Sequence, residues 1–410
     1  MGRKPHPLLL ASFFDQASLM EKPFTPALSI LTAITGAAIM VGSILTAVLI
    51  FIFPQAVDAM AMILTSLSLV GLMLGLGLLW AGWSAQQRLP APLAYIPWGW
   101  AVCLTLIVIL AGVGLLTPAE WQQRPIFAPL HLGLAVLPAF LWLNLVTLAA
   151  GRYRALTFRE LIAAMSSGAA SVVVALPVEI VGFVISALVV VLVALVVPGG
   201  AAEISRMGAL VEQWQFMPPT DMEQVLEAIA SPLVLATLFL VFVVIAPLVE
   251  EVGKTLVMGV MGFWQRPGLT QTFLWGAACG LGFAIVESIT NGANGLGEVK
   301  GWLGGMGMRA FAAAMHMLTS GIIGLGWGFF WRKRRWMLPL AYGIAMLFHA
   351  LWNLNAVMSI GGMATGTGSS TLGLVFTTVG MGLTALLALF APFALIGIPV
   401  LLRSYETKAE

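Results

Sequence analysis

Long apolar runs broken by short polar clusters dominate the chain from residue 27 to residue 402. A helix that crosses a bilayer needs about 20 predominantly apolar residues. Ten windows meet that requirement, at roughly 27–53, 61–83, 93–116, 128–150, 171–197, 232–264, 269–290, 309–330, 336–358 and 372–402. The pattern predicts an all-α, polytopic integral membrane protein with about ten transmembrane helices. No internal repeat and no soluble domain is visible. The longest polar stretch, 198–230, contains EISRMGALVEQW and DMEQVLEAIA, which read as short amphipathic helices on the membrane surface. GGMATGTGSST at 361–371 reads as a flexible outer loop.

Composition fixes the solvent. Of the 410 residues 60% are hydrophobic and 9% charged, against about 25% charged in an average soluble domain. The net charge of +2 says nothing about partners, but its distribution does. Fourteen of the nineteen basic residues, among them WRKRR at 331–335 and GRYR at 151–154, fall on one side of the ten-span arrangement. The positive-inside rule then places both termini in the cytoplasm of a multi-pass cell-membrane protein, with the bilayer and not nucleic acid as its partner. LLLASFF is too short an apolar core for a cleavable signal. MGRKPH carries His6 where a myristoylation motif needs Ser or Thr. Cys103 and Cys279 sit inside spanning segments and read as buried small hydrophobes rather than a disulfide.

The chemistry begins at APLVEEVGK, residues 246–254, where Glu250, Glu251 and Lys254 interrupt a hydrophobic segment. Each such charge costs at least ~2.5–3.5 kcal/mol on insertion scales. Glu250 and Lys254 are i,i+4 and share a helix face, while Glu251 points about 100° away. Phe283 and Glu287 have the same spacing in GFAIVES, as do His349 and Asn353 in FHALWN, and His316 follows Arg309 by two turns. At 1.5 Å per residue from the cytoplasmic ends, Glu250, His316, His349 and Glu287 lie ~21, ~24, ~20 and ~27 Å deep. That coincidence requires the sixth helix to run through EEVGK, bent or tilted at Pro247, with the polar groups nearer the outer face. A carboxylate, two histidines and an amide around one wet cavity suit hydrolysis. Glu250 or Glu251, tuned by Lys254, would take a proton from water, and His349 with Asn353 would donate to the oxyanion. The same groups suit a divalent metal such as zinc, held by His316 and His349 with Glu287 or Glu250. The chain has no HExxH.

EEVGK, FAIVE, His316 with its following Gly-rich helix, and HALWN occur in that order within 104 residues, each inside an apolar segment. Together they resemble the PrsW family of intramembrane proteases, distant relatives of the CAAX prenyl proteases, over about 232–358. The resemblance implies cleavage of a peptide bond in or beside the membrane, as in the first cut of a single-pass anti-sigma factor near the outer face. By motif position Glu250 acts on water and His349 and Asn353 form the oxyanion hole. Glu251, Glu287 and His316 complete the expected catalytic set, with Lys254, Phe283 and Arg309 supporting. Glu287 stands where CAAX enzymes carry a histidine, and Ser288 where the family often has Asn.

The organisation expected is therefore a cytoplasmic segment at 1–26, five helices of unknown role at 27–197, an extracytoplasmic amphipathic loop at 198–231, the protease core at 232–358, and an outer loop, last helix and tail at 359–410. Two rival functions use the same residues: a proton-coupled transporter and a non-catalytic scaffold or sensor. The transporter lacks an inverted repeat or matched broken helices. Glu179, in LPVEIVG, belongs to no motif and reads as structural or cavity-lining; His131 and Arg309 read as interfacial, near outer helix ends.

Overall fold

The computed structural model describes residues 26–52, 58–152, 155–216, 222–264, 267–364 and 371–409. The expected segment 1–26 lies almost wholly outside them, as do residues 365–370 of the expected loop. In chain order the helices are α1 (Pro26–Ile52), α2 (Asp58–Gln86), α3 (Gly99–Leu116), a single turn α4 (Ala119–Gln122), α5 (Ala128–Ala150), α6 (Phe158–Ala194), α7 (Gly200–Phe216) and α8 (Met222–Ile229). Then come α9 (Pro232–Phe239), a π-helical stretch (Leu240–Ile245), α10 (Ala246–Trp264), α11 (Leu269–Asn291), α12 (Val299–Trp331), α13 (Met337–Ala364) and α14 (Thr371–Ala409). Among the described residues an antiparallel bridge, Leu93 to Thr157, is the sole β pairing. Among the described residues ten spans are long and apolar enough to cross a membrane, and α9, the π stretch and α10 form one of them.

Two spans begin earlier than hydropathy indicates, and caps explain both. α6 starts at Phe158 rather than near 171. The Thr157 side chain accepts from the Glu160 N–H while the Glu160 carboxylate accepts from the Thr157 N–H, a reciprocal capping box. Glu160 also accepts from Gln271 Nε2 at 2.7 Å and Trp275 Nε1 at 3.1 Å, which fixes α6 against α11. α12 starts at Val299 rather than near 309, capped by the Glu298 carboxylate, which accepts from the Lys300 and Gly301 N–H groups. Arg309 is therefore inside a helix rather than at its boundary.

The centre of the bundle is α11 and α12. Their most apolar windows are 89% and 72% buried, against 6% for α1, so these two helices are shielded from lipid by the others. Lipid supplies no hydrophobic force between helices, so close packing of small residues must do so. A Cβ on Gly280 would stand 2.2 Å from the His316 carbonyl oxygen, and one on Gly276 2.0 Å from that of Ser320. On the other face of α11, a Cβ on Gly282 would meet the Met165 carbonyl of α6 at 1.9 Å. These approaches set where His316 and Glu287 stand.

His131 is fully buried instead of interfacial. Trp302 Nε1 donates to its Nδ1 at 3.0 Å, so Nε2 carries the hydrogen and donates to the Ile289 carbonyl at 2.9 Å. It ties α5 to the ends of α11 and α12, which is a packing role. Cys103 and Cys279 are both free thiols.

Between the fifth and sixth spans, the two helices expected at 198–230 are present as α7 and α8. Ser231 caps α9 and also donates to Glu203 of α7 at 2.6 Å, while Arg206 pairs with Glu203 at 2.8 Å. The Arg206 guanidinium and the Ser231 hydroxyl hold the Glu203 carboxyl down to about 2. A carboxylate depressed on folding stabilises above its ordinary range near 4.5, and that stabilisation is lost as pH falls towards 2. Spin labels on α7 and α9 should keep their separation from pH 7 to 5 and move apart as pH approaches 2. Glu203→Gln should separate them already at pH 7; no change in either would remove the pair as the tether.

Candidate active site

The sixth span carries the first half of the site. Its π stretch ends at Ala246, whose N–H bonds the Val241 carbonyl five residues back. The next bond of that pattern would run from residue 247 to the Phe242 carbonyl, but Pro247 has no N–H. Asn353 Nδ2 donates to that orphaned carbonyl at 2.8 Å instead. The motif asparagine thus stabilises the break, one turn beyond His349 on α13, with a second amide hydrogen still available.

Beyond the break, Glu250, Glu251 and Lys254 turn into the bundle. The Lys254 ammonium, fully buried, donates to Glu250 Oε2 at 3.0 Å, Glu251 Oε1 at 2.9 Å and His316 Nδ1 at 3.0 Å. All three of its hydrogens are used. It also lies 3.8 Å from the centre of the Phe283 ring, which explains why the second motif begins with an aromatic. Glu251 Oε1 is a hub, accepting from Lys254, from Thr319 Oγ1 at 3.0 Å and from His349 Nδ1 at 2.8 Å. Its other oxygen is buried with no partner among the described residues.

Each histidine is oriented by its own carboxylate. Glu287 Oε2 takes His316 Nε2 at 2.6 Å and Arg309 at 2.5 Å, and Asn291 donates to its Oε1 at 3.0 Å. This leaves Nδ1 of His316 as an acceptor. Glu251 takes Nδ1–H of His349, leaving Nε2 bare and 3.6 Å from Glu250 Oε2. The two rings meet edge to face at 4.9 Å between centroids. Glu251 and Lys254 are sealed off, whereas the side chains of Glu250 and Glu287 are 9% and 21% exposed. The opening is on the Glu250–Glu287 side.

The structure thus brings together Glu250, Glu251, Lys254, Phe283, Glu287, Arg309, His316 and His349 and holds Asn353 beside the π break. Arg309 reaches the cluster through Glu287. Sequence reasoning missed Thr319, one turn after His316 on its face, and the Thr255–Tyr342 hydroxyl pair at 2.9 Å joining α10 to α13.

One ligand atom from each of Glu250, His316 and His349 lies within 4.8 Å of the others. Two imidazoles and a carboxylate form an open zinc-type donor set. Carboxylates on the far ring nitrogens are the outer shell such ligands need. The orphaned oxygen of Glu251 adds unmet acceptor capacity, so the donors fit a divalent ion. Lys254 is bonded to two of the three ligand residues, Glu250 and His316, so a bound ion would compete with its ammonium for these donors.

A protein-family model described as PrsW family intramembrane metalloprotease matches residues 174–387. No curated protein and no solved structure matches the chain.

Proposed function

The chain belongs to the PrsW family of intramembrane metalloproteases, and from that premise we propose that it hydrolyses a peptide bond of a single-pass membrane protein near the outer side of the bilayer, a membrane-anchored anti-sigma factor being one such substrate. The observation carrying this reading is the approach of Glu250 Oε2 to the bare Nε2 of His349, 3.6 Å, two acceptors facing one another beside the site's opening. Lys254 holds Oε2 of Glu250, while no described residue bonds Oε1. Oε1 is left to take a proton from water as the water oxygen bonds the scissile carbonyl carbon. Glu250 then returns that proton to the amide nitrogen as the C–N bond breaks, leaving a carboxylic acid and an amine, which exchange a proton to end as carboxylate and ammonium. Asn353, one turn beyond His349, would donate its spare amide hydrogen to the oxyanion. Glu251 and Glu287 act as positioning residues, setting the tautomers of His349 and His316. A divalent ion held by Glu250, His316 and His349 would polarise the carbonyl and acidify the water.

The test uses the purified protein in liposomes with a panel of tagged single-pass proteins, mapping product termini by mass spectrometry. A discrete new terminus within or just outside a substrate's membrane segment is expected, with one divalent ion per chain by elemental analysis. Solute flux with no cleavage of any panel member would overturn the reading in favour of a transporter.

A further inference from the structure

Glu179 lies midway along α6, a helix otherwise apolar from Val172 to Ala194 save for Ser186. The lipid side of that stretch is highly exposed: Val173 is 75%, Val174 66% and Ile180 58% accessible. The inward side is the stripe Ala175, Glu179, Gly182, Ser186, at helical spacings of four, three and four. Its three small members are buried, whereas Glu179 is only partly so. Gly253 of α10 lies against Ser171, and Ile245 at the end of the π stretch lies against Gly182. Between those two contacts Glu179 falls beside the Pro247–Glu250 turn. Its carboxylate interacts electrostatically with Glu250, Glu287, Lys254 and His349. No hydrogen bond or ion pair to a described residue engages it.

A carboxylate at membrane depth pairs with a cation or faces a watery cavity. The cations beside this one are already committed: Lys254 to Glu250, Glu251 and His316, and Arg309 to Glu287. Four carboxylates, Glu179 included, share one region with two cations. The residues flanking Glu179 on its stripe are small and buried, so the partly exposed carboxylate is the group of that face left open beside the Pro247–Glu250 turn.

We infer that Glu179 is a specificity-determining residue that receives a basic side chain, Lys or Arg, of the substrate a few residues from the scissile bond. This inference rests on the protease reading above. A basic residue flanking a substrate's membrane segment would lay its stem along the apolar wall of α6 and its charge at Glu179. A neutral residue there would leave that carboxylate unpaired.

The experiment compares wild type, Glu179→Gln and Glu179→Lys on one cleaved single-pass reporter. Lys, Gln or Glu is placed in turn at each position within five of the mapped cut. Wild type should prefer Lys at one or two of these positions. Glu179→Gln should lower kcat/KM for that Lys reporter about tenfold, mostly through KM, with the Gln reporter hardly changed. Glu179→Lys should invert the preference towards Glu. Equal losses on all reporters would mark a structural role and overturn the inference, as would an active Glu179→Lys with unaltered preference. Failure of wild type to cleave any reporter would instead overturn the protease reading itself.

Discussion

Glu250→Gln is expected to abolish cleavage while leaving a folded, monodisperse protein. Gln keeps the shape of the side chain and an oxygen for Lys254, whose 3.0 Å bond to Oε2 orients the native carboxylate. It removes the lone pair on Oε1 that accepts the proton of water. Loss of a positioned general base lowers rates by about 10²–10⁴-fold, and weakened ion binding would add to that. Stability should move little, because Lys254 retains Glu251 and His316 as partners. The measurement is product formation against time by the purified variant, with size-exclusion and thermal unfolding as controls. A variant within tenfold of wild type would remove Glu250 as the base.

Lys254→Met should produce the largest loss of stability of any conservative change in the site. Met fills much of the same volume but leaves Glu250 and Glu251 without the ammonium they share, in a place 0% exposed at Lys254 and Glu251. Removing one partner of a buried ion cluster costs about 3–5 kcal/mol. Because the ammonium bonds two of the three ligand residues, a divalent ion should bind in the variant better than in wild type. Thermal unfolding of chelator-washed Lys254→Met should fall sharply, then rise on adding zinc. An ion at a hundredfold its Kd returns about 2.7 kcal/mol. Unchanged stability in the washed variant would show that Lys254 is not the counter-ion. A fall with no rescue would show that Glu250, His316 and His349 do not close around a metal.

Hydropathy revealed ten spans because bilayer thickness sets a single length scale that a window can find. It lost the first turns of α6 and α12 because Thr157–Glu160 and Glu298–Gly301 are polar caps, and VKGWLGGMGM holds four glycines and a lysine. TFRE, a Thr followed three residues later by Glu, has the spacing of a capping box and marks a start that hydropathy does not register. Four motifs at matched depth foretold the meeting of α10, α11, α12 and α13, since depth is linear in residue number along a helix. Direction around each helix was harder to read. The bond from Asn353 to Phe242 depends on a π geometry that no periodicity encodes, and Pro247 alone hinted at a break. His131 looked interfacial from its position in the chain. Its burial is fixed by Trp302, 171 residues away, and pairings at that separation are invisible to spacing.

The π stretch at Leu240–Ile245 also sets the gearing of the whole sixth span. One residue more than a regular helix needs sits in that turn, and each residue advances the side chains by about 100°. Were the same six residues to close as regular helix at unchanged length, the lower half would turn out of phase with the upper half by one residue's rotation, about 100°. The acids would then sweep a quarter-turn or more away from the imidazoles and towards the hydrocarbon. An apparent irregularity is thus the dial on which the reactive face is indexed, and the tract should respond to a change that converts it to regular helix far more than to a change of side chain that keeps the π turn.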